Sequence, residues 1–184
     1  IHKGGIRVVA RGLDKEVEEI LLHIEQNHNF LLSGGAGSGK TYSLIEVLKQ
    51  ISTLYPNAKV ACITYTNAAA VEIMNRANIV NLVVSTIHDF LWNNISLFPN
   101  ELRLTLVELI NDEYSGIKKT DENKTFELAN DVTIQYKEYT KLVNGEISHD
   151  EVLILANAMF KKYPKLCNIL KDKYQFIFVD EYQD

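Results

Sequence analysis

A glycine-rich segment constrains the fold of this chain more than any other feature. Residues 34–41 read Gly-Gly-Ala-Gly-Ser-Gly-Lys-Thr, after the apolar run 30–32 and before apolar residues at helical spacing in 44–51. The segment fits the pattern G-x-x-x-x-G-K-[ST], in which a strand, a glycine-rich turn and a helix follow one another. Glycines let backbone N–H groups point at phosphate oxygens, and the helix N-terminus adds a partial positive charge. The residues predicted to cradle phosphate are Gly34, Gly35, Ala36, Gly37, Ser38, Gly39, Lys40 and Thr41.

The side chains around this predicted phosphate loop indicate a magnesium-dependent reaction. Lys40 is expected to reach the β- and γ-phosphates, and the Thr41 hydroxyl to bind Mg²⁺. The apolar run 176–179 is followed by Asp180 and Glu181, and the carboxyl end of a central strand lies beside the phosphate loop in this type of sheet. We therefore expect Asp180 to hold Mg²⁺ and Glu181 to orient and deprotonate the attacking water. The alternative is that the two carboxylates belong to a solvated acidic loop.

Apolar runs and helical segments alternate in the first half of the chain. This order predicts an α/β fold, with a parallel sheet flanked by helices. The predicted strands cover residues 6–10, 30–32, 59–64, 82–84 and 176–179. The predicted helices begin near Asp14, cover residues 44–51 and 67–76, and begin again after Thr86.

The alternation stops between about residues 91 and 172. Apolar residues at helical spacing predict a helical insertion there, with helices near residues 102–110, 126–136 and 152–160. The predicted domains are an α/β domain of residues 1–91 and 173–184 and a helical insertion of residues 92–172. A buried strand with an acidic tip is an unusual place for a chain to stop, so we expect a piece of a longer protein, incomplete at the C-terminal side.

Four segments, in order, resemble the motifs of UvrD/Rep-type superfamily 1 DNA helicases. The glycine-rich segment is similar to their first motif. Residues 63–70, Ile-Thr-Tyr-Thr-Asn-Ala-Ala-Ala, resemble T-[FY]-T-N-x-A-A, and residues 85–88, Ser-Thr-Ile-His, resemble a T-x-H element. Residues 179–184 match V-D-E-[FY]-Q-D, and residues 148–153 are similar to an acidic and apolar segment upstream of that motif.

The resemblance implies a RecA-like P-loop NTPase fold and a function. Proteins of this family couple the hydrolysis of Mg-ATP to movement along single-stranded DNA towards a duplex junction. The resemblance assigns Gln183 to sensing the γ-phosphate, so the expected catalytic residues are Lys40, Glu181 and Gln183. The residues that it assigns to the DNA track are Tyr65, Thr66, Asn67, Thr86 and His88. An aromatic side chain there can stack on a base, and a short polar one can bond a phosphate.

The resemblance also implies a second RecA-like domain further along the same protein, which supplies the arginines of the transition state. Without it, we expect this chain to bind Mg-nucleotide weakly and to hydrolyse it very slowly.

One position departs from the family pattern. An adenine-reading glutamine in an L-N-x-x-Q element is replaced by Val17 in Leu13-Asp14-Lys15-Glu16-Val17. Because valine has no amide to pair with adenine, a preference for ATP over other nucleotides does not follow from nucleotide binding.

Composition limits the partners of this chain. The net charge is −5, so nucleic acid has to be held by a local surface. A lysine cluster could be that surface or a solvated helix face, and its members are Lys161, Lys162, Lys165, Lys171 and Lys173. No apolar run approaches the roughly 18 residues of a membrane span, and two distant cysteines indicate reduced thiols in a cytoplasmic protein.

Other readings of the sequence remain open. Tyr65 and His88, taken singly, could be packing residues. The chain as a whole could be a P-loop ATPase of another class, such as a small-molecule kinase. It could also be an interaction module that binds nucleotide and has no helicase activity.

Overall fold

The fold was obtained as a computed structural model, which describes residues 14–33, 39–118 and 123–180. The expected strand at residues 6–10 lies outside the described residues. Within them, no helix is long and apolar enough to cross a membrane.

Among the described residues, three parallel strands form a sheet in the order β2-β1-β5. The strands are β1 Val60–Thr64, β2 Leu82–Thr86 and β5 Phe176–Val179. Ile63 of β1 lies opposite Ser85 on one side and Val179 on the other. The carboxyl ends of all three strands therefore meet at one edge of the sheet. This arrangement is the parallel sheet with flanking helices that the β-α alternation predicted.

Three helices pack beside this sheet because each has one apolar face. They are α1 Lys15–Glu25, α2 Lys40–Leu54 and α3 Asn67–Ala77. Val17 and Ile51 are 1% and 0% exposed, and they share a core with Cys62 of β1. Each Å² of apolar surface removed from water stabilises the fold by about 25 cal/mol. This shared core therefore holds the helices against the strands.

Four more helices form a second core. They are α4 Ile87–Ile95, α5 Pro99–Asn111, α6 His149–Lys162 and α7 Pro164–Lys173. Ile95, Leu106 and Leu155 are each 0% exposed within it. Since α4 follows β2 directly and also packs against α6, it joins the sheet to the expected insertion.

The expected helix at residues 126–136 is wrong. Residues 125–134 have no regular secondary structure, and Gln135–Tyr136 is a short strand, β3, paired in parallel with β4, Glu146–Ile147. Side chains of α5 satisfy the backbone instead of a helical ladder. Arg103 donates to the carbonyls of residues 128, 129 and 132, and Asn111 bonds both the N–H and the C=O of Phe126. The insertion is therefore not wholly helical.

The expected strand at residues 30–32 does not pair with the sheet, as these residues have no regular secondary structure. Phe30 nevertheless packs against Phe178 of β5, with ring centroids 6.3 Å apart. The apolar run therefore contacts β5 through Phe30, but without a hydrogen-bonded ladder.

Candidate nucleotide and nucleic-acid site

The residue that ends β5 is fixed to the neighbouring strand. Asp180 donates its backbone N–H to the carbonyl of Ile63 at 2.8 Å. Burial raises the pKa of the Cys62 thiol to about 12, and the nearby Asp180 carboxylate adds to the effect. Cys62 is thus a buried, protonated core residue rather than a nucleophile. Asp180 stands at the carboxyl edge of the sheet, as the sequence predicted.

The described part of the glycine-rich segment begins α2. Gly39 has φ +89°, a left-handed conformation that glycine adopts without strain, and Lys40 and Thr41 are the first two helical residues. Tyr55, just after the end of α2, packs against Phe176 at the start of β5 with centroids 5.3 Å apart. The C-terminal end of α2 therefore lies beside the start of β5.

Several predicted site residues lie outside the described residues, and their roles stay predictions. They are Gly34, Gly35, Ala36, Gly37, Ser38, Glu181 and Gln183.

Val17, at the position of the family's adenine-reading glutamine, is a core residue. Its side chain is 1% exposed and packs among the apolar residues under the sheet. The preceding residue, Glu16, accepts a hydrogen bond of 2.7 Å from the Ser43 hydroxyl on α2. The Glu16 carboxylate therefore ties α1 to α2, the helix that follows the phosphate loop. Val17 itself offers no amide to a base.

All five residues assigned to the DNA track line one cleft. Tyr65, Thr66 and Asn67 come from the turn between β1 and α3, and Thr86 and His88 come from the junction of β2 and α4. We call this space the motif cleft. The remaining residues that line it are Asp89, Tyr136, Lys137, Glu138 and His149. Its volume of about 610 Å³ falls within the roughly 300–1,000 Å³ of ligand sites, which suits a unit of one strand rather than a whole duplex.

Helix caps hold the motif side of this cleft in place. The Thr66 hydroxyl accepts from the backbone N–H of Ala69 at 3.2 Å, and the carbonyl of Thr66 accepts from the Thr64 hydroxyl at 3.0 Å. The Thr86 hydroxyl accepts from the N–H of Asp89 at 3.2 Å and donates to its carboxylate at 2.9 Å. Tyr65, between the two threonines of β1 and α3, is 55% exposed, so its ring is presented to solvent rather than packed.

The insertion supplies the other side of the motif cleft. Tyr136 and Lys137 lie at the end of β3, and His149 is the first residue of α6. The His149 ring lies 4.7 Å from the ring of His88 and 5.2 Å from that of Tyr136, centroid to centroid. Three rings thus form a row from the insertion to the T-x-H element.

The N-termini of three helices meet at the motif cleft. Thr66, Thr86 and Ser148 are the N-cap residues of α3, α4 and α6. Each helix N-terminus carries a partial positive charge of about half a unit. These partial charges lie beside formal charges of one lysine and two carboxylates in the lining.

Burial lowers the pKa of His88, and the neighbouring His149 lowers it further, while Asp89 and Asp150 act in the opposite direction. His88 is therefore mostly neutral at pH 7.

The lysine cluster of α6 and α7 is separate from the cleft. None of its five members is among the residues described as lining it, and Lys162 contacts the Glu108 carboxylate at 2.6 Å.

Sequence reasoning missed the insertion side of the motif cleft. Neither His149 nor Tyr136 is among the residues that the motifs assign to the DNA track, and Tyr136 is the last residue of the helix predicted near residues 126–136. The signal that could have identified His149 was its place in residues 148–153, the segment noted for its family resemblance. Tyr136 had none, because its position depends on pairing between β3 and β4.

A family model described as an AAA domain matches residues 18–184. The chain is 29% identical to Gabija protein GajB of Bacillus cereus (strain HuB5-5), over 92% of this chain and 38% of that protein. It is 25% identical to DNA helicase II of Rickettsia typhi and 25% identical to a probable DNA helicase II homolog of Rickettsia felis, each over 94% of this chain and 33% of the relative. The chain thus spans between 33% and 38% of the length of these relatives.

Proposed function

This chain belongs to the UvrD/Rep-like AAA domain family of helicase-like P-loop NTPases, and we propose that it is the ATP-binding part of a motor that moves along single-stranded DNA. In this proposal the whole protein couples Mg-ATP hydrolysis to translocation with a second RecA-like domain. A further proposal is that the α/β domain comprises residues 1–91 and 173–184, and the insertion residues 92–172.

One observation carries this proposal: five residues from two separate motifs line one cleft. A small-molecule kinase needs a phosphate loop and a magnesium carboxylate, but it has no use for an exposed tyrosine and two capped helix starts in a shared groove. A site for single-stranded nucleic acid uses these features, because aromatic side chains stack on bases while polar groups and helix N-termini bond the phosphates. The arrangement therefore favours a nucleic-acid track over the other two functions considered.

The residues present suit a magnesium nucleotide. Mg²⁺ prefers oxygen ligands, and this chain offers the Thr41 hydroxyl in the first turn of α2 and the Asp180 carboxylate directly after β5. Mg²⁺, when bound, neutralises charge on the phosphates. Lys40 and the N-terminus of α2 attract the phosphates, and Glu181 and Gln183 are assigned to the attacking water and the γ-phosphate.

Strand β1 offers a direct path between the two sites. Asp180, proposed to hold Mg²⁺, bonds the carbonyl of Ile63, and Tyr65 lies two residues further along the same chain segment. A displacement of Asp180 on nucleotide binding would therefore move Ile63 and, two residues further along the chain, Tyr65. This short connection supports coupling between hydrolysis and grip on the strand.

The test is the ATPase rate of the complete protein across a series of single-stranded DNA concentrations. In the variant Tyr65→Ala, we expect the concentration for half-maximal stimulation to rise about tenfold, because a base-stacking ring is lost. Tyr114→Ala is the matched control, since Tyr114 is 95% exposed and is not among the residues that line the motif cleft. The proposal fails if DNA does not stimulate the unmodified protein, or if the two tyrosine variants behave alike.

A further inference from the structure

We propose that Lys173 and Asn94 are positioning residues that join α4, the helix that begins at the motif cleft, to β5, the strand that ends at Asp180. Through this junction, a shift of Asp180 on nucleotide binding moves α4 and changes the grip on the strand. The inference rests on the proposed function and deepens it, because both residues lie outside the motifs and connect the two sites that the motifs form.

The first reason is a hydrogen bond between segments that lie far apart in the chain. The Lys173 ammonium donates to the side-chain oxygen of Asn94 at 3.0 Å, across 79 residues of sequence. Asn94 is 8% exposed, and its amide nitrogen donates to the carbonyl of Phe90 at 2.6 Å. Both polar ends of this buried amide are therefore paired, and loss of the ammonium leaves its oxygen without that donor.

Two buried rings pack beside this hydrogen bond. The rings of Phe90 and Tyr174 lie 5.6 Å apart, centroid to centroid. The Lys173 ammonium also lies 5.1 Å from the centroid of the Tyr174 ring, within reach of a cation–π contact. Residues 173–174 thus hold α4 through an amide, a ring and a charge.

The second reason is the place of these two residues directly before β5. The next residue, Gln175, donates its N–H to the carbonyl of Lys59 at 3.0 Å, and its side-chain oxygen accepts from the N–H of Lys59 at 2.7 Å. The start of β5 is therefore fixed to the segment before β1 as well as to α4.

The third reason is a small core that reaches the nucleotide edge of the sheet. Phe90 and Tyr174 share this core with Ile63 of β1, and the carbonyl of Ile63 accepts the backbone N–H of Asp180. Closely packed interiors have low compressibility and transmit displacements. A shift of Asp180 is therefore passed on to α4 rather than absorbed between them.

The length of α4 carries the displacement to the motif cleft. The helix has nine residues, so it is about 14 Å long at 1.5 Å per residue. His88 lies in its first turn and lines the motif cleft, whereas Asn94 lies near its other end. Because so short a helix moves as one body, a contact at Asn94 determines where His88 meets the strand.

The experiment measures the affinity of the complete protein for a labelled oligothymidylate in two states. One state is free of nucleotide, and the other has Mg²⁺ and a non-hydrolysable ATP analogue at a concentration that saturates its own binding. For the unmodified protein we expect the two affinities to differ by at least about fivefold, the lower end of the usual coupling between two sites.

In Lys173→Met and in Asn94→Ala this ratio of affinities should fall to less than about twofold, while the affinity without nucleotide stays unchanged. Lys173 is half-buried, so the unbranched methionine fits in its place. A purely structural role would lower the unfolding midpoint and leave the ratio as it is. Because the two residues form one contact, the double variant should lower the ratio no further than either single variant.

Lys171→Met is the matched control, because Lys171 is exposed on the same helix. Lys173→Arg is the conservative variant, since it keeps a positive charge and N–H donors, and it should keep most of the ratio.

An unchanged ratio in Lys173→Met and Asn94→Ala would overturn the inference, and so would an equal fall in Lys171→Met. In both cases the proposed function stands, provided that nucleotide changes the affinity of the unmodified protein. An unmodified protein that binds oligothymidylate equally well with and without nucleotide, or that does not bind it, would overturn the proposed function as well.

Discussion

The imidazole rings of His88 and His149 lie 4.7 Å apart, although 61 residues separate them in the chain. His88 belongs to the T-x-H element at the start of α4, and His149 begins α6 in the insertion. The pair therefore joins the start of α4 to the start of α6 at one cleft. A strand in this cleft would touch both parts of the molecule at once.

The affinity for single-stranded DNA should rise as the pH falls. In the free protein, burial and then His149 keep the pKa of His88 below its ordinary value of 6.5. A phosphate in the cleft stabilises the protonated ring and raises its pKa, so binding takes up a proton. Affinity should therefore increase as the pH falls from 8 to 5.5.

Binding of oligothymidylate across this pH range checks the prediction. The variant His88→Gln should flatten the profile, because it removes one titrating ring. A profile for the unmodified protein that is flat, or that rises with pH, would contradict a phosphate contact at the histidine pair.

Loss of the Thr86 hydroxyl should weaken both the fold and the cleft. This side chain caps α4 through the N–H of Asp89 and is 7% exposed. Thr86→Val removes the cap at a cost of about 1 kcal/mol, and it frees the first turn that carries His88. Thr86→Ser keeps the hydroxyl and is the control. Urea unfolding should show a lower midpoint for the valine variant only, and an unchanged midpoint for that variant would show that the cap does not stabilise the fold.

Glu151 should make the start of α6 sensitive to acid. Burial raises the pKa of this carboxyl, but hydrogen bonds from Ser148 and Thr140 outweigh burial and hold the pKa below 4.5. The folded chain thus binds fewer protons than the unfolded chain near pH 4, so the stabilisation is present above that pH and is lost as the pH falls through the folded pKa.

In Glu151→Gln the acid-dependent part of this stabilisation should disappear, because the amide oxygen accepts hydrogen bonds at any pH. Glu151→Ala should cost about 1 kcal/mol at pH 7, the usual contribution of a cap. Unfolding midpoints at pH 7 and pH 4 measure both effects. An unchanged difference between the two pH values in the glutamine variant would show that other carboxyls cause the acid sensitivity.

The α/β half of the fold could be predicted from the sequence because its signals are local. The strand at 60–64 and the helix at 67–77 are neighbours in the chain, and the cap between them, Thr66, is visible as part of a motif. The cleft residues of the motifs meet because the carboxyl ends of parallel strands share one edge.

The insertion could not be predicted to the same extent because its signals are distant. Residues 126–136 have apolar spacing that fits a helix, but Arg103 and Asn111, from 15 to 29 residues away, take over their backbone hydrogen bonds. The same holds for Tyr136, whose place in the cleft follows from strand pairing with Glu146–Ile147. A single sequence does not reveal which remote side chain will satisfy a given carbonyl.

The most direct test of the central claim is the rate of ATP hydrolysis by the complete protein at saturating single-stranded DNA, for Lys40→Ala against Lys49→Ala. Both lysines lie on α2, but Lys49 is bonded to Glu46 on the same helix and is 44% exposed. Lys40→Ala should lower the stimulated rate by about a hundredfold or more, as expected when a group that stabilises the transferred phosphate is lost. Lys49→Ala should leave that rate unchanged. Undiminished hydrolysis by Lys40→Ala would contradict the assignment of this chain as the ATP-binding part of a DNA motor.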